Sequence, residues 1–257
     1  MRKQELPEPR KTLFVDSGDA DIYCELFGIE SNRTMVLLHG NGEDLHYFDP
    51  QISCFSSNYN IVAIDSRGHG RSTRGTKSLD FSTMTKDVLN VLNTLQIDKA
   101  HLLGFSDGAN LALYLALSAP DRFFSIILTG ANYRPEGLLP SVRASIYLTY
   151  AGLIFKSFFS KKYILKKEIC ELMVYHPNLT ITEISRINIP TLVMTGEHDM
   201  VSQTHNDEIS RAVSGSERII VPNGDHFLSS KMPETFNRII GDFLSRVDND
   251  SGVLTGN

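Results

Sequence analysis

A serine hydroxyl becomes a useful nucleophile only when a neighbouring base takes its proton and an acid holds that base in one tautomer. Three residues of this 257-residue chain have the types and the order for that work. Ser106 sits in Gly104-Phe105-Ser106-Asp107-Gly108, a G-x-S-x-G pattern. The apolar run Ala100 to Leu103 precedes it and the helix-forming stretch Ala109 to Leu117 follows. Strand, sharp turn and helix, with serine at the turn, describe a nucleophile elbow that lifts the hydroxyl clear of a sheet. A strained backbone is expected at Ser106, and side chains at 104 or 108 would block helix-on-strand packing. Asp199 follows the strand at Thr191 to Met194, in Gly196-Glu197-His198-Asp199, and His226 follows the last core strand, in Gly224-Asp225-His226-Phe227. The order Ser, Asp, His is the one an elbow serine takes on such a sheet. Glu197 and Asp225 lie on the wrong sides of their turns, and the turn after Leu128 offers Asn132 but no carboxylate.

Acyl transfer also needs hydrogen-bond donors for the developing oxyanion. The residue after the nucleophile, Asp107, supplies one backbone N–H, and Asn41 in His39-Gly40-Asn41-Gly42 supplies the other. A carboxylate beside an oxyanion is electrostatically unhelpful, so the Asp107 side chain needs another reason to be there. It either bonds loop backbone or an arginine, or it attracts a cationic group on the substrate. Tyr133 and Phe227 join Asp107 as expected substrate contacts. His39 and the stretch Asp65 to Ser72 are read as loop braces, with Arg67 pinning backbone carbonyls.

The elements that must position these residues are legible as apolar runs. Thr12 to Val15 and Asp21 to Phe27 form a hairpin through Ser17-Gly18-Asp19. Met35 to Leu38, Ile61 to Ile64, Ala100 to Leu103, Ser125 to Leu128, Thr191 to Met194 and Arg218 to Val221 each run into a polar, mostly glycine-containing loop. Continuous apolar strands alternating with helices predict an α/β fold, a mostly parallel eight-stranded sheet flanked by helices. Ligands bind at the carboxyl ends of such strands, where all the residues named above fall.

The alternation breaks between about Tyr133 and Arg186. Residues 131–187 are expected to form a small helical cap, with 1–130 and 188–257 as the core. This segment has eight Lys or Arg against four Glu, +4, leaving −9 for the rest of the chain. Its run Ile146 to Phe159 is apolar on most faces. The expectation is that it packs the cap on the core. An acyl pocket, or a membrane-facing lid with Lys156, Lys161 and Lys162 towards headgroups, stays open.

Composition narrows the class. At 41% hydrophobic and 21% charged the chain is ordinary for a globular protein. A net charge of −5 argues against general nucleic-acid binding. Cys24, Cys54 and Cys170 show neither metal-ligand spacing nor a disulfide framework. Residues 1–9 lack the apolar core of a signal peptide, and Ala144 to Phe155 is too short to span a bilayer, so a cytoplasmic location without stable membrane insertion is expected. The polar stretch from Asp248 to Asn257 is expected to fray.

Together the segments HGNG at 39–42, DSRGHGRS at 65–72, GFSDG at 104–108, GEHD at 196–199 and GDHF at 224–227 resemble the α/β-hydrolase superfamily. The resemblance covers nearly the whole chain. It implies a catalytic triad of Ser106, Asp199 and His226 and no cofactor or metal. GFSDG with TGANYRPEG at 129–137 is similar to the biphenyl-hydrolase-like group, which includes valacyclovir-type esterases. Relatives in that direction hydrolyse carboxylic esters, some of them aminoacyl esters, and others cleave C–C bonds in ring-fission products. Three readings stay open: a serine hydrolase of a small acyl substrate, a C–C hydrolase of a ring-fission dienoate, or a ligand-binding protein on the same fold.

Overall fold

The apolar runs become the strands of one sheet in the computed structural model, which describes residues 6–31 and 33–251. In chain order the elements are β1 (Lys11–Asp16), β2 (Asp21–Gly28), β3 (Thr34–Leu38), α1 (Asp49–Phe55), β4 (Asn60–Ile64), α2 (Phe81–Thr94), β5 (Ala100–Phe105), α3 (Asp107–Ser118) and β6 (Phe123–Thr129). Then follow α4 (Pro140–Ser157), α5 (Lys162–Tyr175), α6 (Ile181–Ile184), β7 (Thr191–His198), α7 (Gln203–Ala212), β8 (Glu217–Asp225), α8 (Leu228–Lys231) and α9 (Pro233–Ser251). The sheet order is β1-β2-β4-β3-β5-β6-β7-β8. The β1–β2 and β2–β4 pairs are antiparallel and the rest parallel.

Strands β3, β4 and β5 are buried at every position. Alternate side chains face opposite ways, so Val36 and Leu38 enter one apolar layer with Leu113, while Met35 and Leu37 enter the other with Phe48 and Phe236. The chain goes from β3 to its neighbour β4, then crosses to β5 on the other side of β3. The loops after β3 and β5 therefore open side by side at a switch point, with Leu38 in register with Gly104.

Strands β7 and β8 run further than their apolar runs, through polar residues to His198 and Asp225. Glycines permit this: a Cβ at Gly196 would lie 2.4 Å from the Gly224 backbone. The extension carries Asp199 and His226 out on adjacent strand ends.

Two expectations need correction. The apolar run in 146–159 does not pack on the core. None of α4's side chains is buried, and Tyr147, Leu148, Phe155, Phe158 and Phe159 are exposed. The helix packs chiefly on α5, which itself takes the ties to the core: Arg74 Nε donates to Glu168 at 2.7 Å, and Asn41 Nδ2 to the Ile169 carbonyl at 2.8 Å. The C-terminal stretch does not fray from Asp248, because α9 continues to Ser251 with Asp248 buried. Residues 1–5 and 252–257, on which the expectations about the termini also fall, lie outside the described residues.

Candidate active site

Ser106 joins β5 to α3 at φ +53°, ψ −118°, a left-handed conformation that L-residues rarely adopt. Its N–H donates to Thr129 O at 2.9 Å, which fastens the turn to β6. The flanking glycines are sterically required. A Cβ at Gly104 would sit 2.4 Å from Gly108 O, and one at Gly108 would sit 1.9 Å from Leu38 O. This is the strained elbow that the spacing predicts, held by neighbours on both sides.

His226 Nδ1 lies 2.8 Å from Asp199 Oδ1, and both side chains are almost wholly buried. Asp199 Oδ1 also accepts from Val201 N at 2.9 Å. Its Oδ2 is buried with no hydrogen-bond partner among the described residues, leaving the carboxylate's charge directed at the imidazole. Phe105 lies under the histidine, ring centroids 4.8 Å apart, and stacks on Tyr47 at 4.2 Å. The Ser106 hydroxyl and His226 Nε2 make no hydrogen bond to each other. Such bonds commonly tighten only around substrate. The rival acids are engaged elsewhere: Glu197 accepts from Asn223 N at 2.9 Å, and Asp225 pairs with Lys231.

The N–H groups of Asn41 and Asp107 enter no turn or cap hydrogen bond. That of Asp107, as the first residue of α3, has no acceptor within the helix. The Asp107 side chain reaches neither backbone nor arginine. Its Oδ2 accepts from Asn41 Nδ2 at 2.8 Å and its Oδ1 from Asn110 Nδ2 at 3.3 Å. Burial pushes its carboxyl up to about 6, against the pull of the two amides and of nearby His226. Asn110 is paired in turn with Asn132, whose N–H donates to Asn110 Oδ1 at 2.8 Å. One polar chain thus runs from the β3 loop through the elbow to the loop after β6.

Of the expected substrate contacts, Phe227 stands beside the histidine, ring centroids 5.5 Å apart. Tyr133 is committed elsewhere: its ring stacks on His205 at 4.1 Å and its hydroxyl donates to Glu208 at 2.7 Å. His39 braces its loop, with Nδ1 2.8 Å from Gly40 O and Nε2 accepting from Ser66 N. Burial, with His69 close by, pushes its imidazole down to about 3, and with both ring nitrogens engaged it acts as a brace. Arg67 holds mainly carboxylates, not carbonyls: Asp87 at 2.7 and 2.8 Å and Asp19 at 3.1 Å. A buried guanidinium needs opposite charge more than it needs amide oxygens.

Sequence reading missed two neighbours of this site. Glu43 accepts from Gly40 N at 3.3 Å, and burial pushes its carboxyl up to about 7, opposed by that N–H and by His226. Gly130, at φ +63°, lets the end of β6 pass against the histidine. A Cβ there would lie 2.6 Å from His226 Cε1. Its position at a strand's carboxyl end was the available signal, whereas nothing in the local pattern marks Glu43.

Residues 33–162 match the family model described as alpha/beta hydrolase fold. The chain is 28% identical to the serine hydrolase BPHL of Homo sapiens over 84% of this chain and 80% of that protein. It is 25% identical to 3-oxoadipate enol-lactonase 1 of Acinetobacter baylyi, over 87% and 92%. Among solved structures, the carboxylesterase CesB of Bacillus subtilis superposes with a TM-score of 0.76 at 22% identity, covering 93% of each chain, a likeness of fold.

Proposed function

The chain belongs to the alpha/beta hydrolase fold family and is a hydrolase, and we propose that it cleaves a small carboxylic ester or related acyl substrate through an acyl-enzyme on Ser106. The observation that carries this reading is the His226–Asp199 contact of 2.8 Å at the same sheet edge as a serine in an elbow conformation. In this reading Ser106 Oγ attacks the carbonyl carbon and its proton passes to His226 Nε2. Asp199 holds the imidazole and stabilises its charged form. The N–H groups of Asn41 and Asp107 receive the oxyanion. Collapse expels the alcohol with the proton from His226. Water, deprotonated by the same imidazole, then releases the acid and restores Ser106. Residues 131–187 serve as the cap over this site. The lactonase and serine hydrolase among the relatives support acyl chemistry.

A fluorophosphonate probe tests the nucleophile. The protein should label with one equivalent, and Ser106→Ala should abolish labelling while lowering kcat on any accepted ester by about 10⁴-fold or more. An unlabelled wild type, or labelling that survives Ser106→Ala, would overturn the assignment.

A further inference from the structure

We propose that the tip of the α4–α5 hairpin is a docking surface for an anionic lipid bilayer. The helix α4 is 18 residues long without one buried side chain. Where it turns into α5, Phe155, Phe158 and Phe159 are 65%, 80% and 75% exposed. The rings of Phe155 and Phe159 meet edge-on at 5.0 Å, and Leu148, Tyr147 and Ile164 extend the exposed apolar surface. Three neighbouring phenylalanines in water are costly, and contiguous patches of this kind mark interaction sites.

Charge selects the occupant. From position 137 to 167 the chain has six Lys or Arg and no Asp or Glu. Lys156, Lys161 and Lys162 are exposed around the phenylalanines. Aromatic rings enter the boundary between headgroups and acyl chains while lysine stems reach back to anionic headgroups. A second copy docking tip to tip would set these lysines against each other. The chain outside residues 131–187, at −9, is repelled by the same surface, so the hairpin leads and the body stays in water. No helix among the described residues is long and apolar enough to cross a membrane, so the contact is peripheral. This inference does not rest on the reactivity of Ser106.

Sedimentation with sucrose-loaded vesicles tests it, using phosphatidylcholine–phosphatidylserine mixtures against pure phosphatidylcholine. The full chain should bind the mixed vesicles and be released by salt. Phe158→Ser with Phe159→Ser should weaken binding by about tenfold or more, and so should Lys156→Gln with Lys161→Gln and Lys162→Gln. All five side chains lie at the surface, so unchanged thermal unfolding should confirm that both variants fold. The proposal is overturned by no binding to mixed vesicles, by equal binding to neutral ones, or by binding that neither variant weakens. It is also overturned if vesicle binding is absent and the phenylalanine variant converts a dimer into a monomer, which assigns the face to a second copy.

Discussion

Asp107 is held by amides from two directions, and that bears on whether it recognises a substrate. Asn41 Nδ2 spans Asp107 Oδ2 and the carbonyl of Ile169, so the carboxylate helps fix the residue that presents an oxyanion donor. Asp107→Asn keeps the size but replaces one acceptor oxygen with an amide donor, and either Asn41 or Asn110 must lose its partner. A loosened donor loop lowers transition-state binding for every acyl group alike. We therefore expect kcat/KM to fall about 10- to 100-fold on aminoacyl and on neutral acyl esters together. A loss confined to aminoacyl esters would instead show the carboxylate meeting an ammonium group. The order of the triad was readable because strand, loop and G-x-S-x-G leave local signatures. The amide chain from Asn41 to Asn132 was not, because its members lie on two loops and the first turn of α3, which only the sheet order brings together.

Among the elements, α9 shows how a buried charge fixes a terminus. Asp248 receives Arg33 Nη2 at 2.9 Å from the segment before β3 and the Tyr59 hydroxyl at 2.7 Å from the segment before β4. His101 of β5 lies 3.0 Å away. Burial opposes its ionisation, yet the bonds from His101, Tyr59 and Arg33 hold the carboxyl down at about 2, against an ordinary value of 3.8. A carboxyl depressed in the folded state stabilises fully above its unfolded value, and that contribution is lost as pH falls through the folded one. Thermal unfolding followed from pH 6 to pH 2 should show a loss of about 2 kcal/mol beginning below pH ~4, and Asp248→Asn should lack that acid-dependent component. At pH 6 the variant should be less stable by about 3 kcal/mol, because His101 and Arg33 keep their places without the charge. Equal stability of the two chains at pH 6 would refute this account. The polar composition of 248–257 hid the tie, since the partners of Asp248 lie more than a hundred residues away in sequence. For the same reason the apolar runs revealed every strand while leaving the antiparallel β2–β4 pairing invisible: pattern reports which faces are buried, and pairing depends on what lies alongside.

At the scale of the whole molecule, stability is divided unevenly. Both apolar layers are built on the sheet, where β3, β4 and β5 are buried throughout. The hairpin of α4 and α5 has little apolar burial of its own: Cys170, Leu172 and Val174 anchor the far half of α5, while the side chains of α4 are at most partly buried. The Arg74–Glu168 pair and the Asn41 bond to Ile169 join α5, not α4, to the body. Sheet amides at the centre should therefore exchange only through global unfolding, whereas α4 can open while the core stays intact. Native-state hydrogen exchange should find α4 amides exchanging at least about 100-fold faster than those of β5, with α5 between them and most protected from Ile169 onwards. Because the hairpin carries Ile169 over the Asn41 loop, its opening also loosens one tie on an expected oxyanion donor. Equal protection of α4 and β5 would mean that the hairpin unfolds only with the core, and that its exposed aromatic face is held as rigidly as the sheet.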